Sequence, residues 1–106
     1  MPVLTYDTYD DLNTYSINNP KTLIVINFKA KWCMPCKTIY PFLKYLQENY
    51  PNIDFMEIDI EDDNTITEHF TISKVPTFIY YKNGNISETV IGTNKEKIEN
   101  AINDYL

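Results

Sequence analysis

A nearly unbroken apolar segment, residues 22–28, is the sequence feature that most restricts the fold. It reads Thr-Leu-Ile-Val-Ile-Asn-Phe, without the polar alternation of a half-buried strand. Such a run is typical of a β-strand buried on both faces. Strand-like and helix-like segments alternate around it, with no linker or repeat. The sequence therefore predicts one α/β domain over residues 1–106.

The remaining segments predict the order β-α-β-α-β-α-β-β-α, a central mixed β-sheet flanked by helices. Asn83-Gly84 is typical of a hairpin turn between the last two strands, which are then antiparallel. Thr8 and Thr93 each precede an acid by three residues, which predicts an N-cap at both positions. Pro41 predicts a kink inside one long helix. The predicted strands are 3–6, 22–28, 55–60, 77–81 and 86–91, and the predicted helices are 8–17, 33–50, 62–70 and the C-terminal segment.

Composition excludes several classes of function. The chain has 106 residues and a formal net charge of −6. Because it is acidic and has no basic stripe, we do not expect it to bind nucleic acid. Its apolar runs are far shorter than the ~20 residues of a membrane span. The first residues lack the basic and apolar regions of a secretory signal. We therefore expect no membrane or nucleic-acid partner. We also expect a cytoplasmic monomer.

Two cysteines three positions apart, Cys33 and Cys36, carry the strongest chemical signal. Within one helical turn both sulfurs come within disulfide reach. Cys33 falls at the predicted helix N-terminus, where unpaired N–H groups stabilise a thiolate, so we expect it to be the reactive thiol. Cys36 lies one turn deeper, on the core side, and is placed to resolve a mixed disulfide. Pro35 suits the first turn, where its missing N–H costs nothing.

Metal binding and a purely structural role are the other interpretations of this pair that stay open at the level of the residues. Zinc needs four ligands, or three and a water, and the only further soft ligand is His69, which we expect at the surface. Two chains sharing one metal, or two inert buried cysteines, are the remaining alternatives. We expect no metal site.

Residues 31–37, Lys-Trp-Cys-Met-Pro-Cys-Lys, strongly resemble the active-site motif of the thioredoxin family, W-C-G-P-C-K. Residues 74–78, Lys-Val-Pro-Thr-Phe, resemble the family's cis-proline segment. Residues 82–84 and 91–92 resemble its hairpin turn and its late glycine. The resemblance covers essentially the whole chain and implies a thioredoxin-like fold.

The resemblance also implies roles for individual residues. Cys33 attacks a substrate disulfide and Cys36 resolves the intermediate. Pro76 follows a cis bond, although the residue alone would suggest an ordinary strand-initiating proline. Val75 lies against the dithiol and pairs with the substrate chain. The implied substrate-binding residues are Trp32, Met34, Pro35, Val75, Pro76 and Gly92.

Three positions depart from the family pattern. Asn27 stands where the family usually has a buried aspartate, and an amide does not accept a proton. Glu57 replaces that proton relay if it points toward the site, but exposure on the outer face is the preferred expectation. Asn27 and Glu57 are therefore the candidate proton relay. Met34 replaces a glycine, and Lys29 replaces an aromatic residue.

Four of the nine lysines, Lys29, Lys31, Lys37 and Lys74, lie in segments around the dithiol. They predict an acidic molecule with a basic rim at its active face. Simple solvation of loop ends is the alternative.

These features predict a thiol–disulfide oxidoreductase that reduces protein disulfides, with a redox-active disulfide and roles in electron transport and cell redox homeostasis. Its partners would be protein disulfide substrates and a thioredoxin-reductase-type electron donor. No bound cofactor is needed, because the cysteines carry the electrons. The alternatives are a glutaredoxin-like redox protein and a binding module with an incidental dithiol.

Overall fold

The computed structural model describes residues 3–62 and 64–106 as one five-stranded mixed sheet with helices on both faces. The strands follow the order β1-β3-β2-β4-β5 across the sheet. The strands are β1 (Val3–Leu4), β2 (Ile24–Lys29), β3 (Asp54–Asp59), β4 (Thr77–Lys82) and β5 (Asn85–Ile91). The helices are α1 (Tyr9–Asn18), α2 (Met34–Thr38), α3 (Tyr40–Asn49), α4 (Thr65–Phe70) and α5 (Lys95–Tyr105).

The apolar strand β2 lies at the centre of the sheet, as its double-sided burial predicted. It is parallel to β3 and antiparallel to β4. Leu23 and Val25 join the core beneath α3 and α5, whereas Ile24, Ile26 and Phe28 join the core on the other face. The alternation of side chains along β2 thus feeds two separate cores.

The predicted fold class is confirmed, and the element order differs from the prediction only in that the second helix is divided into α2 and α3. The local signals succeed to different extents. The Thr8 side chain caps α1 by accepting from the Asp11 N–H at 3.2 Å. Asn83 and Gly84 both have positive φ, as a type I′ hairpin turn requires. The β1 strand is shorter than predicted, ending at Leu4.

Three helix boundaries differ from the sequence prediction. The cap of α5 is Asn94 rather than Thr93, because the Asn94 side chain accepts from the Lys97 N–H at 3.0 Å. The Asn64 side chain caps α4 by accepting from the Ile66 N–H, so this helix begins later than residue 62. Position 63 belongs to the predicted helix but lies outside the described residues. The predicted kinked helix is two helices that meet at Ile39, and Pro41 lies in the first turn of the second, where its missing N–H has no helical partner to lose.

The described ranges contain no helix that is both long enough and apolar enough to cross a membrane.

Candidate active site

The two cysteines lie where the central strand gives way to α2. Cys33 is the N-cap of this helix, with extended backbone angles, and its N–H donates to the Ala30 carbonyl at 3.1 Å. Cys36 follows one turn later, and its N–H donates to the Cys33 Sγ at 3.2 Å. The two residues form a disulfide with their Cα atoms 5.3 Å apart. The helix start therefore places one sulfur on an otherwise unpaired backbone donor.

Accessibility does not distinguish the two cysteines. Cys33 is 3% exposed and Cys36 is 7% exposed, so the expectation that Cys36 is the more deeply buried is wrong. Cys33 occupies the cap, whereas Cys36 borders a side cleft. Any difference in reactivity must therefore come from local electrostatics rather than from exposure.

Two large apolar side chains flank the disulfide at the surface. Trp32 and Met34 are each 66% exposed, and Pro35 beside them is exposed as well. Neighbouring apolar side chains that are exposed together are typical of interaction surfaces. They leave an apolar border on the outer side of Cys33.

The segment before β4 packs against the other side of the dithiol. The Val75–Pro76 bond is cis, as the resemblance implied. Val75 contacts the small buried cluster of Ala30, Cys33 and Cys36. The Gly92 N–H donates to the Pro76 carbonyl at 2.9 Å, which fixes Gly92 beside this turn with a φ of 95°. The residues to which the resemblance gave a role in substrate binding thus lie around the disulfide.

The face of the sheet below Cys36 carries Asn27 and Glu57, which are direct partners on the parallel strands β2 and β3. Both side chains border an open cleft of about 770 Å³ that Cys36 also borders. The expectation that Glu57 faces outward is therefore wrong. Because residues paired on neighbouring strands point to the same face of a sheet, Glu57 lies with Asn27 on the face that α3 and α5 cover.

Polar contacts within the cleft are unevenly distributed. Asn27 is only 6% exposed, and its Oδ1 has no hydrogen-bond partner within the described ranges. Glu57 Oε2 accepts from Lys29 Nζ at 3.3 Å. Asp59 Oδ1 accepts from the Glu61 N–H at 2.9 Å. Of the buried side-chain acceptors that border the cleft, Asn27 Oδ1 is thus the one without a donor among the described residues.

The predicted basic rim is mixed in charge on this side. Three lysines share the cleft with three carboxylates: Lys29, Lys31 and Lys37 with Glu57, Asp59 and Asp62. Lys74 is exposed and lies outside it. The sequence alone indicates the lysine cluster. It does not indicate the acids, because they lie on β3 and just after it, and only the sheet order shows that β3 is the neighbour of β2.

Metal-binding geometry is lacking in the part of the chain that the structure describes, where no group of three or more His, Cys, Asp or Glu side chains converges. His69 is exposed, as expected, and its ring stacks on Tyr9 with centroids 3.5 Å apart.

Comparison with known proteins decides the family. The family model described as Thioredoxin matches residues 3–104. The chain belongs to the thioredoxin family. It is 43% identical to the thioredoxin of Ophiophagus hannah over 89 residues, which cover 84% of this chain and 85% of that one. It is also 32% identical to thioredoxin H1 of Arabidopsis thaliana over 102 residues, 96% of this chain and 89% of the relative.

A solved structure shows the same fold. The X-ray structure of Fasciola hepatica thioredoxin covers 100% of both chains with a TM-score of 0.84 and 30% identity. Thioredoxins act on protein disulfides and are reduced by thioredoxin reductase. This member is a thiol–disulfide oxidoreductase that reduces protein disulfides through its Cys-x-x-Cys dithiol.

Proposed function

We propose that this thioredoxin works as a cytoplasmic monomer that transfers electrons from a thioredoxin-reductase-type flavoprotein to protein disulfides. In that role it contributes to electron transport and to cell redox homeostasis. The observation that carries the proposal is the Cys33–Cys36 disulfide, which is enclosed by the cis-proline segment and bordered by exposed apolar side chains.

Cys33 is the proposed nucleophile. As a thiolate it attacks one sulfur of a substrate disulfide, forms a mixed disulfide and releases the other sulfur as a thiolate. The Cys36 thiolate then attacks the Cys33 sulfur, which breaks the bond to the substrate and leaves the second substrate thiolate. The substrate has gained two electrons, and the protein has returned to its disulfide. The cysteines carry both electrons, so no bound cofactor takes part.

The proposed substrate groove runs between the two segments that border the disulfide. Trp32, Met34 and Pro35 form its outer side. Val75, Pro76 and Gly92 form the other side, where the substrate backbone would pair with Val75. The contact of Val75 with the cysteine cluster supports this placement, because a chain bound there lies beside the reacting sulfur.

Insulin reduction with two alternative electron sources tests the proposal. We expect turnover with NADPH and thioredoxin reductase, and loss of that turnover in Cys33→Ser. Turnover that requires glutathione and glutathione reductase would indicate a glutaredoxin-like protein instead. Tight capture of a partner without turnover from either source would indicate a binding module. Sedimentation equilibrium and cell fractionation test the monomeric state and the cytoplasmic location.

A further inference from the structure

Cys36 presents a proton-transfer problem for the proposed reaction. It is 7% exposed, and burial disfavours the charged form of a thiol. Its attack on the mixed disulfide nevertheless needs the thiolate. Asn27 is the buried polar side chain on the adjacent strand, and a neutral amide does not take up a proton at ordinary pH. Of the protein groups bordering the cleft, the carboxylates are the ones suited to receive the Cys36 proton.

Three carboxylates border the cleft, and their surroundings differ. Asp62 lies beyond the end of β3 and is exposed. Asp59 is committed through Oδ1 to the Glu61 backbone N–H. Glu57 is the strand partner of Asn27, whereas Asp59 is the partner of Lys29, two positions nearer the strand end. Of the three, Glu57 is the one that lies beside Asn27 in the sheet. Its carboxylate accepts no hydrogen bond from a backbone N–H of the described residues.

We propose that Glu57 accepts the Cys36 proton through solvent in the cleft, and that Lys29 is the positioning residue that holds the Glu57 carboxylate. The inference rests on the proposed disulfide reduction. The Lys29–Glu57 contact of 3.3 Å joins side chains that are 40% and 28% exposed, so both reach the cleft without being sealed from water. The unpaired Asn27 Oδ1 is an acceptor suited to orient a water between the thiol and the carboxylate.

The step is balanced in protons and electrons. The Cys36 thiol gives its proton to the Glu57 carboxylate, which becomes a carboxylic acid. The thiolate forms the Cys33–Cys36 bond as the bond from Cys33 to the substrate sulfur breaks. The departing substrate thiolate takes up a proton from solvent, and Glu57 returns its proton to the cleft.

Rapid-mixing kinetics of Glu57→Gln test the assignment. Formation of the mixed disulfide reports Cys33, and its decay reports Cys36, so the two steps separate. We expect decay to slow by roughly 10²-fold, the lower end of the usual cost of losing a general base, because solvent recovers part of the effect. We expect the rate at which the mixed disulfide forms to stay unchanged. Glu61→Gln is the matched control, since Glu61 is an exposed acid outside the cleft.

Lys29→Gln and Asn27→Asp provide independent readouts. Without the Lys29 contact the Glu57 carboxylate is no longer held in the cleft, so decay should slow while formation does not, and Lys29→Arg should restore decay. The other titratable groups bordering the cleft are Lys31, Lys37, Tyr40, Asp59 and Asp62, and Asp59→Asn shows whether one of them shares the role. Asn27→Asp introduced into the Glu57→Gln protein should restore decay, since it supplies a carboxylate at the paired position.

The outcomes are separable. If the mixed disulfide never forms in the unmodified chain, the proposed function fails. If it forms and Glu57→Gln decays at the unmodified rate, the assignment of Glu57 is wrong. Slowing in Asp59→Asn instead of Glu57→Gln moves the role to Asp59 and overturns the proposal. Slowing of Glu57→Gln that Asn27→Asp does not rescue would indicate a structural effect and would also overturn the proposal, and unchanged decay in Lys29→Gln would overturn the role of Lys29.

Discussion

The Cys36 N–H donates to the Cys33 Sγ, and we expect this contact to make the two thiols inequivalent once the disulfide is reduced. Exposures of 3% and 7% alone would give nearly equal alkylation, with a slight excess at Cys36. A hydrogen bond to a charged group contributes about 1.5 kcal/mol at the low end, and a helix N-terminus adds about 0.3–1 kcal/mol. Together these favour the Cys33 thiolate by roughly 20-fold to 70-fold.

The expected difference in alkylation rate is smaller than the difference in ionisation. A more stable thiolate is a weaker nucleophile, with a Brønsted coefficient of about 0.4–0.5. The rate advantage of Cys33 then falls to roughly 5-fold to 10-fold near neutral pH. It should shrink as pH rises and both thiols ionise.

Limiting iodoacetamide on the reduced protein, followed by peptide mass spectrometry, measures this ratio. Cys33→Ser and Cys36→Ser give the rate of each thiol alone. Equal labelling, or an excess at Cys36 near neutral pH, would refute the electrostatic reasoning and reverse the proposed roles of the cysteines.

Three further predictions concern charge and packing. In Tyr15→Phe the hydrogen bond to Asp54 that raises the pKa of Tyr15 to about 12 is lost. This hydrogen bond contributes about 1 kcal/mol to the free energy of unfolding after discounting for solvent exposure. The contribution is complete below pH 10.0, the ordinary pKa of tyrosine, and is lost as the pH approaches 12. Denaturant unfolding should therefore show different stabilities for the two proteins at neutral pH and equal stabilities at the alkaline end. Lys74→Glu should slow exchange with an acidic disulfide peptide severalfold at low salt but not at high salt, whereas Lys21→Glu, before the opposite end of β2, should not. Leu46→Ala, at a fully buried position, should cost about 2–5 kcal/mol in the free energy of unfolding.

Local sequence signals predicted most of the fold because they act within a few residues. The apolar run of β2, the Thr8 cap and the Asn83-Gly84 turn each depend on side chains and backbone angles at the site itself. The cap of α5 shows the limit of this approach. Thr93 and Asn94 are both good capping residues in adjacent positions, and the choice between them depends on how the chain leaves β5.

The side cleft was beyond prediction for a different reason. The family pattern indicates Asn27 by its position in the sequence before Cys33. The orientation of Glu57, in contrast, depends on which strand is the neighbour of β2 and on the register between them. The Lys29–Glu57 contact spans 28 positions and depends on the same register. Pairing between distant strands is a tertiary property, and a one-residue slip would turn Glu57 to the opposite face.

The position of β2 has a consequence for local fluctuations of the molecule. Its side chains belong to both cores, and its backbone is bonded to a strand on each side, so its amides can be freed only when both layers open together. Hydrogen exchange along this strand should therefore occur only through global unfolding, while the short β1 edge exchanges by local opening. Because Cys33 follows shortly after the last residue of β2, the dithiol is attached to the most slowly exchanging part of the protein. The point from which the reacting sulfur projects is therefore held by the part of the protein that opens last.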